Sequence, residues 1–68
     1  MSVLKTRLYE YRKAHGLQQA ELAQRVGVRR ETIGHLENGR YNPSLKLAMD
    51  IAGVFHCRVE DLFWFEED

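Results

Sequence analysis

The stretch QAELAQRVGVRRETIGHLEN, residues 19–38, decides the fold. Leu22, Ala23 and Val26 recur at steps of one, three and four, the spacing of one buried helix face. Ile33 and Leu36 mark a second short helix on the same rule. Only Gly27 and Val28 stand between the two patterns, so the chain must turn sharply there. Gly27 supplies the positive φ that such a turn requires, which a side chain would resist. Ala23 is small where two steeply crossed helices bring their backbones close. Val26, Val28, Ile33 and Leu36 are then left to bury themselves and fix the crossing.

Working outward, Leu4, Leu8, Tyr11 and Ala14 predict a helix before this unit, ended by Gly16. Asn38-Gly39 ends the third helix, and Pro43 sets up a turn and a new start. Leu45, Ala48, Ile51, Ala52 and Phe55 form the longest apolar stripe, a fourth helix. Val59, Leu62 and Phe63 predict a last turn or two, with Glu60 and Asp61 near its positive N-terminal end. The expectation is an all-α, compact five-helix bundle without strands, one domain over residues 1–68, with residues 64–68 as a tail. A helix-turn-helix unit of about 19–38 would hold its second helix proud of the body.

Composition narrows the function. Ten Lys and Arg against ten Asp and Glu give a formal net charge of zero, which at first argues against a polyanion partner. The charges are not evenly spread. Residues 1–41 carry eight basic and four acidic side chains, a net +4, and residues 42–68 carry two and six, a net −4. Cys57 is the one cysteine, so no internal disulfide can form, as suits a reducing cytoplasm. No apolar run reaches the ~20 residues of a membrane span, and the start lacks a signal peptide's apolar stretch. A soluble, cytoplasmic protein without membrane contact is expected.

The sequence QQAELAQRVGVRRETIGHLENGRYNPSLKLAMDIAGVF resembles the Cro and phage-repressor-like (XRE-type) helix-turn-helix regulators of prokaryotes. The most specific matches are Leu22-Ala23, Gly27-Val28, Thr32-Ile33, Leu36-Glu37-Asn38-Gly39 and Asn42-Pro43-Ser44-Leu45, and the likeness runs from about Leu8 to Phe63. The resemblance implies a DNA-binding transcriptional regulator, commonly a homodimer on a palindromic operator. It also implies an ion pair between Arg12 of the first helix and Glu37 at the end of the third, and a phosphate contact from Gln19. Where relatives usually place a threonine cap before the second helix, this chain has Gln18. Arg29 replaces the serine or threonine before the third, and His56 and Arg58 replace glycine and serine before the fifth. Each poor cap costs about 1 kcal/mol, which predicts a domain of modest stability.

With Ile33 and Leu36 turned inward, the outer face of the third helix centres on Glu31, flanked by Arg30, Gly34 and His35. The first turn of such a helix meets base edges in the major groove. Arg30 can donate to a guanine O6/N7 pair, or serve as a phosphate contact or solvated charge. Glu31 either accepts from a cytosine N4, pairs with His35 one turn on, or is an acid placed near a helix N-terminus. Gly34 costs about 1 kcal/mol relative to alanine; it either admits a close DNA approach or is a plain weakness. Candidate phosphate contacts surround this face: Gln18, Gln19, Arg29, Thr32, Asn38, Arg40, Tyr41 and Asn42.

Other chemistry finds little support. His15, His35 and His56 have no metal or catalytic spacing, and no nucleophile motif or phosphate-cradling loop occurs. No catalysis, cofactor, metal or small-molecule effector is expected. The alternative is a protein-interaction module, antitoxin-like or an anti-regulator, that retains the fold; the presence of Arg29, Arg30 and Arg40 favours double-stranded DNA. Phe63, Trp64 and Phe65 cannot all face one small core; they are the candidate dimer interface, or else Trp64 or Phe65 folds back over the first helix. Such a dimer would place two recognition helices about one DNA turn (~34 Å) apart. The acidic residues Glu66, Glu67 and Asp68 would then stay away from the duplex, and the neutral total would limit indiscriminate binding.

Overall fold

Six leucine and isoleucine side chains (Leu8, Leu22, Ile33, Leu36, Ile51 and Leu62) are sealed from solvent and form the centre around which five helices pack. The computed structural model describes residues 1–67. Its elements are a strand β1 (Ser2–Thr6), helices α1 (Leu8–Ala14), α2 (Gln19–Val26), α3 (Arg30–Glu37), α4 (Leu45–Phe55) and α5 (Val59–Leu62), and a strand β2 (Phe63–Glu67). The turn between α2 and α3 is built as the sequence predicts. Gly27 adopts φ 74° and ψ 33°, and the Val28 N–H returns to the Ala23 carbonyl at 3.0 Å.

Two strands correct the all-helical expectation. β1 and β2 pair antiparallel, with Ser2 opposite Glu67, Leu4 opposite Phe65 and Thr6 opposite Phe63. Leu4, expected on the first helix, instead lies in β1. The Arg7 N–H donates to the Leu62 carbonyl at 2.9 Å, committing the chain before Leu8 to this ribbon, and the Leu8 N–H is capped by Thr6 Oγ1 at 3.0 Å. Each strand finds its partner at the opposite end of the sequence, a non-local pairing that no local periodicity announces. Phe63, read as helical, already has extended backbone, φ −137° and ψ 137°.

The caps moderate the expected weakness. Neither Gln18, Arg29 nor Arg58 caps its helix through its side chain. The reverse half of a capping box is nevertheless present twice: the Gln18 N–H donates to Glu21 Oε1 and the Arg58 N–H to Asp61 Oδ2, both at 2.9 Å. Ser44 caps α4 in the ordinary way, its Oγ accepting from the Leu47 N–H at 3.1 Å. His56 ends α4 in the left-handed region at φ 53°, where a side chain is strained. Leu45, counted in the buried stripe of α4, is exposed. It begins the helix, where the stripe has already passed the edge of the core.

Candidate nucleic-acid interface

The inner face of α3 carries Ile33 and Leu36 into the core, and this fixes what the outer face shows. Arg29, Arg30, Glu31 and His35 are exposed, whereas Thr32 and Gly34 are half-buried at the edges. Glu31 and His35 make no hydrogen bond or ion pair with each other among the described residues. Glu31 lies in the first turn of α3, next to the partial positive charge of the helix N-terminus. A methyl group at Gly34 would meet only Gln19 Nε2, at an ordinary 3.7 Å, so the glycine is not required by packing.

Behind this face stands the Arg12–Glu37 ion pair that the resemblance implies. Arg12 Nε reaches Glu37 Oε2 at 2.5 Å, Nη2 reaches Oε1 at 3.2 Å, and Nη1 donates to the Leu17 carbonyl at 2.9 Å. Both side chains are buried. The bond to Glu37 holds the Arg12 guanidinium above its ordinary pKa, against the opposing effect of burial. Arg12 therefore stays charged, and the pair ties α1, the α1–α2 connection and the end of α3 into one unit.

Gln19 connects this pair to the outer face. Its Nε2 donates to Glu37 Oε1 at 3.0 Å, and Arg30 Nη1 approaches its Oε1 at 3.5 Å, the long limit of a hydrogen bond. A polar chain thus runs Arg12–Glu37–Gln19–Arg30, from the buried pair to the exposed face. Spacing along the sequence gave no sign of the Gln19–Glu37 bond, because it depends on how α2 crosses α3. Gln18, at the start of α2, keeps its side chain exposed.

The loop after α3 also turns outward. The Arg40 N–H closes on the His35 carbonyl at 3.0 Å, leaving the side chains of Asn38, Arg40, Tyr41 and Asn42 exposed. Gly39, at φ 69°, passes the β1 strand so closely that a methyl group there would stand 3.2 Å from the Leu4 carbonyl oxygen. This loop and β1 border a shallow groove lined in part by Ser2, Arg40, Tyr41 and Phe65. The Ser2 hydroxyl donates to Glu67 at 2.7 Å, so the acidic end is joined to this side of the molecule through β1. Asp68 lies outside the described residues.

The three terminal aromatics separate by strand alternation. Phe63 is only 7% exposed and belongs to the core of its own chain. Trp64, on the opposite face of the ribbon, lies under the Arg7 guanidinium at 4.8 Å, and its Nε1 donates to Glu66 at 3.0 Å. Phe65 returns to the inner face but remains exposed. Among the described residues, no group of three or more His, Cys, Asp or Glu could hold a metal ion, and no helix is long and apolar enough to cross a membrane.

Comparison with known proteins agrees with this geometry. A family model described as Helix-turn-helix matches residues 8–62. An uncharacterized HTH-type transcriptional regulator of Archaeoglobus fulgidus is 57% identical over 65 residues, covering 96% of this chain and 93% of the relative. The uncharacterized HTH-type transcriptional regulator YgzD of Bacillus subtilis is 42% identical, covering 96% and 98%. Among solved structures, the clp gene regulator ClgR from Corynebacterium glutamicum superposes with a TM-score of 0.74 at 28% identity. That match covers 79% of this chain and 57% of the ClgR chain.

Proposed function

The chain belongs to the XRE-type helix-turn-helix family of DNA-binding transcriptional regulators, and we propose that it binds a palindromic operator as a homodimer with α3 in the major groove. The outer face of α3 carries this reading. Arg30, Glu31 and His35 stand exposed on a helix whose other side is locked into the core, with Arg29 before them and Arg40 after. A rigid helix with an exposed, mixed-charge first turn suits base reading. Arg30 reads guanine, and Glu31 accepts from cytosine and rejects sequences that present an acceptor there. Gln18, Arg29, Thr32, Asn38, Arg40, Tyr41 and Asn42 contact the flanking phosphates. Gln19 serves chiefly to orient Arg30, since its amide is already engaged by Glu37.

Selection from random duplex DNA at two salt concentrations tests the proposal. A two-fold symmetric consensus, with affinity falling steeply as salt rises, is the expected result. Absence of enrichment at either salt concentration refutes it. Repeating the selection with Glu31→Gln should change the preferred base at one position of each half-site; an unchanged consensus removes Glu31 from the reading set.

A further inference from the structure

Gly39 stands where the recognition unit meets the terminal ribbon. Its left-handed backbone, φ 69°, closes the end of α3, with the Gly39 N–H on the Leu36 carbonyl at 3.1 Å and the Arg40 N–H on the His35 carbonyl at 3.0 Å. A methyl group here would lie 3.2 Å from the Leu4 carbonyl oxygen, tighter than ordinary contact. That carbonyl points at the loop because of the ribbon's register. The Arg7 N–H donates to the Leu62 carbonyl, so Arg7, Lys5 and Val3 turn their backbone groups toward β2, and Leu4 and Ser2 turn theirs outward. Three restraints hold the Leu4 carbonyl in place: the ladder pairs Val3–Glu66 and Lys5–Trp64 on either side, and the Leu4 side chain, buried in the core. No backbone hydrogen bond joins this strand edge to the loop among the described residues, so the junction is one of shape.

We infer that β1 is a positioning element for the DNA-contacting loop: the Leu4 carbonyl is the stop against which Gly39 seats, and it sets where Arg40, Tyr41 and Asn42 meet the phosphates. This rests on the DNA reading above and adds the part the two chain ends play in it. Three observations carry it. First, the N–H groups of Gly39 and Arg40 are both engaged by α3, so a shift at Gly39 passes to Arg40 instead of being absorbed between them. Second, strand and loop otherwise diverge as walls of a groove of about 570 Å³, with Ser2 and Val3 on one side and Arg40, Tyr41 and Asn42 on the other. The loop side chains therefore stand free of the strand, and the glycine carries the contact. Third, Arg40 is exposed and has no ion-pair partner among the described residues, so its charge is open to a phosphate. A side chain at Gly39 would force strand and loop apart by a few tenths of an ångström. That margin separates a well-made charge-assisted hydrogen bond, at about 2.7–2.9 Å, from a poor one.

The experiment compares the unaltered chain with Gly39→Ala, Val3→Pro and Gly16→Ala. Gly39→Ala fills the contact, and Val3→Pro removes a ladder donor beside Leu4 without changing the charge. Gly16→Ala is the control, since Gly16 has nearly the same left-handed backbone, φ 67°, with nothing within 4 Å. Circular dichroism melting sets a temperature at which all four are folded. In the DNA-free proteins, amide signals of Arg40, Tyr41 and Asn42 should move in the first two variants and stay in the control. Binding to a mixed-sequence duplex and to the selected consensus duplex is then titrated by fluorescence anisotropy across salt. Gly39→Ala and Val3→Pro should bind roughly three- to tenfold more weakly, with the salt slope reduced by about one phosphate contact and the base preference unchanged. A destabilised but folded protein keeps the slope, as Gly16→Ala should. Loop amides that stay in place, or a slope equal in all four proteins, overturns the inference. Failure of the DNA reading is distinguishable: an unaltered chain that binds neither duplex refutes that reading, while loop amides that move in both variants still support the seat of Gly39 on β1.

Discussion

Replacing Glu37 with alanine should be among the most damaging single changes in this chain. The substitution leaves the buried Arg12 guanidinium with the Leu17 carbonyl as its remaining hydrogen-bond acceptor and the Tyr9 ring 5.3 Å away, since both bonds to Glu37 vanish. It also removes the acceptor of the Gln19 amide. Breaking a buried pair from one side costs about 3–5 kcal/mol. A domain of this length has roughly 3–10 kcal/mol in total, so the loss is a large share of its stability. At about 4–8 °C per kcal/mol for a domain of this size, the lower estimate already predicts a fall in Tm of roughly 12–24 °C. The double variant Arg12→Met/Glu37→Leu should recover most of the loss, because apolar side chains of similar volume need no ionic partner. Urea denaturation of the unaltered chain, Arg12→Met, Glu37→Leu and the double variant, followed by circular dichroism, completes the cycle. The pair's contribution should hold steady through neutral pH. The Arg12 pKa is raised on folding, so its stabilisation is full below the unfolded value and is lost only at strongly alkaline pH. A cost below about 1 kcal/mol for Glu37→Ala, or a double variant as unstable as either single one, would refute the assignment of a tightly coupled buried pair.

Four further outcomes are expected. Arg30→Ala should cost roughly 1–3 kcal/mol on the preferred sequence and relax one base position, as read by titration of matched and mismatched duplexes; a uniform loss would reduce Arg30 to a phosphate contact. Gly34→Ala should raise stability by up to about 1 kcal/mol, since the added methyl meets Gln19 Nε2 at 3.7 Å. Reduced DNA affinity in that variant, by fluorescence anisotropy, would show that the helix backbone needs the space. His56→Gly should stabilise by about 0.5–1 kcal/mol through relief of the left-handed backbone, measured as a rise in urea midpoint. Burial, and secondarily Asp61, pushes the Cys57 thiol above its ordinary pKa. Its protonated form therefore favours folding until pH rises through that raised value, and alkylation at pH 8 should be slower in the folded than in the urea-unfolded chain.

Much of this site is legible in residue order. Residues 19–38 contain both helices, the turn and the inward positions, so the outward set follows by elimination around one helix. The Arg12–Glu37 pair came from the family resemblance, and the structure places it where expected. Gln19 was legible only as a polar side chain at the start of a helix. Its bond to Glu37 spans 18 residues and exists because α2 and α3 cross at that point. The terminal aromatics were recognisable as too many for one core, but their sorting to core, outer face and groove required the register of the ribbon.

The sequence by itself determined the helix–turn–helix geometry, because short-range steric and hydrophobic rules act within a few residues: Gly27 turns the chain, Ala23 lets the helices approach, and Ile33 and Leu36 choose the buried side. The tertiary structure alone decided the fate of the two ends. Pairing residues 2–6 with 63–67 closes nearly the whole chain into one loop. That closure is favoured only once the intervening helices have formed a core for Leu4 and Phe63 to cover. The neutral net charge belongs to the first kind of information and its arrangement to the second, for the basic and acidic halves meet along this ribbon.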